Sequence, residues 1–414
     1  MTPNKSLKLG PFLGENNRLP DTRLSSQDGT FVRYAVNVDL SDSNTFKRRK
    51  GTSLTVSGAD VGSLWSADGD SAYFVDDGTI YYLDQSLTPV SVISGVVRGR
   101  VVSYTDSPIG IHATDGLSLW KLSGTTASEA CVKVPQTNPT LSASTGGSLP
   151  DGNYAVSVSY MNGNGEESGA TLPTRIDVPE LGVLTISGIP TLVGHTTCLY
   201  VSPPNGDSLY RVSSAASGSI SIPVLSYTGG ARCRSIGSEP MPAGDIVRYH
   251  MGRLVVAKGS ILYFSDSFAL HLTQPRKSFI QFKERITLLE SCNTGLYVSA
   301  DQTYWLPGDI ASTEITPILP YRAIENTGNA VPGEINMVWW MSERGVVIGG
   351  DKGEVKNLQE KQVAVPTYSI GATAYREQDG RKQYLASMFG DGVSPSLAAE
   401  SWMSAEVIRK EAQT

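Results

Sequence analysis

GSLWSADGDSAYFVDDGTIYYLDQSLTPVSVI, Gly62 to Ile93, is four short strand-like runs separated by Asp68-Gly69-Asp70, Asp76-Asp77-Gly78 and Asp84-Gln85-Ser86. Aromatic and β-branched runs broken by Asp, Gly and Ser are the signature of consecutive hairpins. The plan returns at 99–134 (GRVVSYTD, IGIHATDG, LSLWKLSG, ACVKV) and at 252–282 (GRLVVAKG, SILYFSDS, FIQF). It returns again at 285–318 (RITLLES, GLYVSAD, TYWLPGD, EITPI) and at 335–365 (INMVWWMS, GVVIGGD, GEVKNL, VAVP). A four-strand unit of about 40–45 residues has the spacing of a β-propeller blade. Blades bury one sheet face on the next, so function is sought on surfaces before it is sought in a catalytic signature.

Residues 136–236 break this rhythm. Pro135 and Pro139 lead into a Ser/Thr/Gly-rich stretch, then DGNYAVSVSYMNGNGEESGAT, where Tyr154, Val156, Val158 and Tyr160 alternate as a half-buried strand. RIDV, GVLTIS, TTCLYVSP, SLYRVSSA and SISIPVL follow. Seven strand-like segments in about 100 residues fit a fibronectin-III-like or immunoglobulin-like sandwich inserted between blades two and three. Pro240 and Pro242 mark the return to the propeller.

The two ends differ from the middle. Residues 1–30 are rich in Gly, Asn and Pro and predict an extended arm without regular elements, one that docks on another subunit. Residues 31–56 read as a hairpin, and IGATAYREQ with KQYLASMF as a second, so that strands from both termini would close the propeller in one blade. Residues 391–414 read as a short C-terminal helix, with Ser396 behind Pro395 as its N-cap. The expected domains are therefore an arm (1–30), a first propeller part (31–135), the sandwich (136–236), a second propeller part (237–390) and a helical tail (391–414).

Composition narrows the function. Forty-two glycines and a charged fraction of 18% suit a turn-rich all-β chain, and a net charge of −6 disfavours a sequence-specific DNA binder. MTPNKSLKLG has no apolar leader, and no run approaches the ~20 apolar residues of a membrane span. That predicts a soluble protein made in the cytoplasm. The four cysteines (Cys131, Cys198, Cys233, Cys292) lack metal-ligand spacing and read as buried thiols.

Order along the chain carries a resemblance. Gly14-Glu15-Asn16-Asn17-Arg18-Leu19-Pro20, then RYAVNVDL (33–40), then the basic turn Lys47-Arg48-Arg49-Lys50-Gly51 resemble the opening of a family of tailed-phage virion proteins. In that family a G-x-N-N-x-x-P arm leads into A-x-N-V-D and an R-R-x-G turn. DGNYAVSVSYMNGNGEESGAT is similar to the family's inserted domain, where a Gly-x-Tyr strand precedes a Gly-Glu-Glu-Ser loop. The resemblance implies a tail nozzle (tail tubular) subunit of a short-tailed phage: a partial β-propeller assembled with itself as a ring, six-fold in the first instance. Its partners would be the adaptor or portal side, tail fibres, and genomic DNA passing non-specifically through the channel.

No HExxH, GxSxG or P-loop pattern occurs, so no enzymatic activity and no cofactor are expected. His112, His195, His250 and His271 lie in separate segments, the first three in runs that read as apolar strands (GIHATD, VGHTTC, RYHMGRL), and are expected to be structural. Turn carboxylates (Asp68, Asp70, Asp76, Asp77, Asp115, Asp266, Asp301, Asp351) read as caps. A pair converging in the channel would instead make a glycosidase, and Asp76-Asp77 or Glu166-Glu167 would suit calcium. Candidate subunit contacts are Asn16, Asn17 and Arg18 in the arm, Lys47, Arg48, Arg49 and Lys50 in the hairpin, and Trp339 and Trp340, one packing between blades and one meeting a neighbour. Two alternatives stay open: a tail-tip hub of a long-tailed phage, and a carbohydrate-binding or carbohydrate-cleaving propeller.

Overall fold

Five four-stranded antiparallel sheets, each with its strands in chain order, account for the five repeats. The computed structural model describes residues 11–33, 35, 38–41, 43–49, 51, 53–226, 231–331, 337–363, 370–378, 381–389 and 403–408. The chain is an all-β protein of β-propeller type with an inserted sandwich. It divides into two compact units, residues 1–101 with 282–414, and residues 102–281. The expected first and second propeller parts are thus each cut, after Val101 and after Gln281.

The first unit holds the first blade (Val61–Trp65, Ala72–Asp76, Thr79–Leu83, Val90–Ser94), the fourth (Leu288–Ser291, Gly295–Ser299, Thr303–Pro307, Thr316–Leu319) and the fifth (Asn329–Val331, Met337–Ser342, Gly345–Gly349, Val355–Asn357). The fifth begins one strand earlier than its repeat suggested, as does the third, and Val363 lies past the last strand of the fifth. Blades four and five meet over aromatic rings. Tyr297 lies 4.7 Å from Trp305 and 5.3 Å from Trp340, with Val338 and Val347 in the same core. Gly349 is required there, because a Cβ would stand 2.5 Å from the Tyr297 ring. Each such ring buries ~150–250 Å², which at ~25 cal/mol per Å² is about 4–6 kcal/mol before entropy.

Both terminal segments depart from expectation. Phe12–Glu15 is a strand, paired in parallel with Thr30–Val32, and Phe12 packs on Phe46 with ring centroids 4.2 Å apart. The described part of the arm therefore folds onto its own chain. The hairpin of Val38–Leu40 with Phe46–Arg48 and the C-terminal hairpin of Ile370–Gln378 with Arg381–Phe389 lie in separate sheets. Among the described residues they share no closing blade, and the C-terminal hairpin has other neighbours. Met403–Ile408 pairs along one of its edges, and Glu325 bridges Ile370 on the other. Met403–Ile408 is a strand where a helix was expected: an open ladder of amide groups outweighs weak helix periodicity. Ser396 and its cap lie outside the described residues. No α-helix occurs among the described residues, hence none long and apolar enough to cross a membrane.

The second unit holds the second blade (Ser103–Thr105, Ile111–Thr114, Leu119–Ser123, Thr126–Glu129), the third (Ile246–His250, Arg253–Lys258, Ile261–Phe264, Phe279–Gln281) and the sandwich. Hydroxyl groups join the two blades. Ser103 Oγ accepts from Val247 N at 3.1 Å, Thr105 Oγ1 accepts from Tyr249 N at 3.0 Å, and Thr114 Oγ1 donates to Gly244 O at 2.9 Å. Leu119, Val247, Leu254 and Val256 fill the space beneath.

The sandwich has seven strands in two sheets. One joins Thr140–Leu149, Gly182–Ile189 and Gly218–Ile222; the other joins Thr174–Val178, Gly152–Met161, Thr196–Val201 and Tyr210–Ser213. Tyr154, Val156 and Val158, with Leu199 and Val201 of the same sheet, face Leu184 and Ile186 of the other, and Tyr154 Oη donates to Pro150 O at 3.0 Å. The strand is not half-buried as expected. Its other face is buried as well, with Ala155, Cys198, Tyr200 and Leu209 covered by Ala170, Cys233 and Ile236. The returning chain makes this cover, through bridges Ala170 to Ile236 and Tyr210 to Arg232. Gly169 admits the close approach, since a Cβ there would strike Ser238 O.

The sandwich thus needs its return segment. A fragment of residues 136–240 is expected to unfold cooperatively, whereas 136–226 loses the cover from Cys233 and Ile236. At about 1.5–3 kcal/mol per buried side chain, its thermal midpoint should fall by roughly 10 °C or more, with new binding of a hydrophobic dye. Equal midpoints for the two fragments, read by circular dichroism, would contradict this.

Candidate functional site

The arm motif does its work inside the chain. Asn16 is buried; its Oδ1 accepts from the backbone N–H of Arg18 (3.1 Å) and of Leu19 (3.0 Å), and its own N–H donates to Val32 O. Asn17 N donates to Gln362 O at 3.0 Å, and Arg18 Nε to Val363 O at 3.0 Å. An Asn side chain that mimics a turn backbone explains why this position takes Asn. Asn16 and Asn17 are therefore intrachain clasps, and of the three arm candidates only Arg18 is exposed. Burial pushes the neighbouring Glu15 carboxyl up, against a lowering hydrogen bond from the Ala35 backbone.

Charge is partitioned in the basic hairpin. Arg49 is ion-paired with Asp39 at 3.1 Å, both about a quarter exposed. Lys47 and Arg48 are exposed and, among the described residues, have no carboxylate partner; Lys50 lies outside the described residues. Trp339 and Trp340 are 2% and 0% exposed. Trp340 packs on Tyr297 and Trp339 on Tyr384, 5.8 Å between centroids, so neither tryptophan meets a neighbouring subunit. Alternation along Met337–Ser342 sends the two rings to opposite faces, and both faces are covered by the chain itself.

A charged cluster in the second unit was not anticipated. Its centre is the loop 162–168 of the sandwich. Glu167 receives Arg211 Nη2 at 2.6 Å, with Tyr200 Oη and Ser159 Oγ donating to its other oxygen, and Arg211 also lies over the Tyr200 ring. Glu166 receives Lys121 Nζ at 2.8 Å and Asn162 Nδ2 at 2.7 Å. His271 Nε2 stands 3.0 Å from Glu167 O. The loop so ties the sandwich to both blades of its unit, through Lys121 in the second and His271 beside the third. Burial alone would push the Glu166 carboxyl up, but the hydrogen bonds from Lys121 and Asn162 outweigh it and hold it below the ordinary range. Burial, then Glu167, push the Tyr200 hydroxyl up, so it stays a neutral donor. The calcium reading of this pair gives way to amino-acid cations. The Glu-Glu spacing signalled charge; nothing in the sequence signalled Lys121 and Arg211 as its partners.

Other titratable groups are structural. Asp68 accepts from Asp70 N and Ser71 N, Asp76 from Ala59 N and Asp60 N, and Asp115 from Leu117 N and Ser118 N. Asp77 pairs with Arg98. His112 and His250 are buried; His195 sits before Thr196–Val201 and not within a strand. Burial pushes the Cys131 and Cys292 thiols up to about 12, which makes them inert hydrophobes. No group of three or more His, Cys, Asp or Glu that would hold a metal occurs among the described residues.

No family model and no curated protein matches the chain. Among solved structures it is similar to BBS1N from a complex with ARL6DN, at 12% identity and a TM-score of 0.35, covering 87% of this chain and 96% of that one. It is similar to the N-terminal domain of Nup159 at 10% identity and a TM-score of 0.28, covering 80% and 73%. The computationally designed Ika8 protein gives 11% identity and a TM-score of 0.27, covering 81% and 95%. At these values none bears on what this chain binds or does, and the blade assignment rests on its own strand order.

Two substitutions test the cluster. Arg211→Met leaves the Glu167 carboxylate without its cation, though still with two hydroxyl donors; with both partners about a fifth exposed, the loss is expected at ~2–3 kcal/mol, below that of a fully buried pair. Tyr200→Phe removes one donor and is expected to cost ~1 kcal/mol. Urea unfolding of the full chain reads both, and a loss under 0.5 of that scale for Arg211→Met would mean the pair is merely superficial.

His112 sets a pH dependence. Burial first, then Lys121, lower its pKa from 6.5 to about 4. A depressed folded pKa means the unfolded chain binds the proton first, so stability is complete above 6.5 and is lost as pH falls towards 4. The full effect is about 3 kcal/mol. His112→Gln is expected to flatten this part of the stability–pH curve, and an unchanged slope between pH 6.5 and 4 would refute it.

Proposed function

We propose that this chain is a structural subunit of a phage tail, the nozzle ring through which DNA leaves, with no covalent chemistry of its own. The observation that supports it most is the order of parts: an Asn-capped arm, a basic hairpin, two blades, a seven-stranded sandwich, then three further blades. That order is the one that the resemblance to tailed-phage virion proteins implies. A subunit of net charge −6 suits a conduit, because carboxylates at a lumen repel phosphate and let DNA slide. The turn carboxylates spent on caps favour this reading over a glycan-cleaving propeller. Its neighbours would be adaptor or portal proteins and fibres, and its place the virion.

The test is location. Antibodies raised against residues 136–240 should label one end of the tail in purified phage particles that carry this gene product, and an image reconstruction should show a ring of copies there. Particles complete in infectivity but lacking the chain would overturn the reading. So would a ring whose lumen is lined by Lys and Arg, for the sliding argument.

A further inference from the structure

One end of the first blade has the make-up of an interface half. Leu64 is 70% exposed on the edge strand Val61–Trp65, and Leu87 is 52% exposed in the turn before Val90–Ser94. Leu87 has φ 56°, a left-handed conformation that a branched side chain rarely takes, and Ser63 beside Leu64 has φ 52°. The turns Ser66–Ser71 and Asp84–Leu87 belong to the first and third hairpins of one meander, so they emerge at the same end of the sheet, joined by Gln85 Nε2 to Asp70 Oδ1. Asp68, Asp70 and Asp84 lie in the same two turns, all exposed. Hydrogen bonds from the following turn residues hold the Asp68 and Asp84 carboxyls below the usual range, so they stay ionised. Exposed leucines and ionised carboxylates at one end of a sheet suit a partner that offers both apolar and cationic side chains.

The complementary half lies on the same chain. Lys47 and Arg48 are exposed on the strand Phe46–Arg48, an outer strand of a sheet that has two strands among the described residues. Leu54, 83% exposed, follows them. Within one chain the two halves do not pair: among the described residues neither cation meets a carboxylate, and both leucines stay exposed.

We infer that the hairpin of one copy, through Lys47, Arg48 and Leu54, docks on the Leu64–Leu87 end of the first blade of a second copy. The occupant follows from charge: the chain is acidic, and this hairpin offers cations that its own carboxylates leave unmatched. The contact joins two different surfaces, so it is heterologous, and head-to-tail repetition closes into a ring when the rotation allows. Leucines supply affinity, while the exposed charges set orientation and encounter rate. The inference rests on the ring reading above and assigns its contact surfaces.

Charge reversal with rescue tests it on the full chain. Lys47→Glu with Arg48→Glu alters one half; Asp70→Lys with Asp84→Lys makes the other net positive and leaves both leucines in place. Circular dichroism checks that both variants fold, and sedimentation velocity reads assembly. Each variant alone is expected to need at least ten-fold more protein than the wild type to assemble. An equimolar mixture should regain assembly, since each reversed hairpin then meets a reversed blade. If both variants assemble as the wild type does, these surfaces are not the contact, although a ring through other surfaces survives. A wild-type chain that remains monomeric at all concentrations would remove both the contact and the ring.

Discussion

Every sheet in this chain has two faces and too little of its own to cover them. A four-stranded meander of short strands cannot exclude water from either side, so its stability is borrowed from what is laid against it. Between the fourth and fifth blades the covering is aromatic, with Tyr297 held between Trp305 and Trp340 and its hydroxyl donating to Gly350 O and Glu354 O. Between the second and third blades it is aliphatic, edged by hydroxyls that satisfy amide groups of the adjoining sheet. The same requirement closes the outer face of the sandwich with its own return segment. These are three answers to one demand: buried backbone amides must be paired and buried faces filled.

The distribution of charge follows from that demand. Carboxylates are spent locally, on turn amides or on single cations, as at Asp115 and at the Glu166–Lys121 pair. Cations of the hairpin are not, apart from Arg49. A structural ring component needs rigid parts and a few unsatisfied surfaces, and this chain has that division. The loop 162–168 supplies the rigidity, because two adjacent carboxylates reach in different directions, one to a blade and one across the sandwich.

The repeats were legible because hairpin chemistry is local. Asp-Gly turns between aromatic runs reveal a blade wherever they fall, and each of the five sheets overlaps its repeat, the third and the fifth starting one strand early. The sandwich was legible by the same means, down to its seven strands. What failed was non-local. Met403–Ile408 has helical spacing yet pairs on Arg381–Phe389, because a ladder edge elsewhere in the fold decides it. Trp339 and Trp340 are aromatic neighbours whose burial depends on Tyr384 and Tyr297, each more than forty residues away. Asn16 and Asn17 were read as recognition groups, and Asn16 is instead a turn cap. Ser103, Thr105 and Thr114 lie in runs read as strands, but nothing in the sequence signalled that their hydroxyls join two blades.

The return segment over the sandwich has a bearing on synthesis. The ribosome releases the seven strands in order, but the outer face of the four-stranded sheet stays bare until Cys233 and Ile236 emerge. The second blade must likewise wait, since Val247 and Tyr249 pair with Ser103 and Thr105 some 144 residues earlier. Closing a chain of that length around a flexible interior would be slow. In the folded chain Gly169 stands against both Val134 and Ser238, so the entry and exit of the sandwich lie together and the third blade starts next to the second.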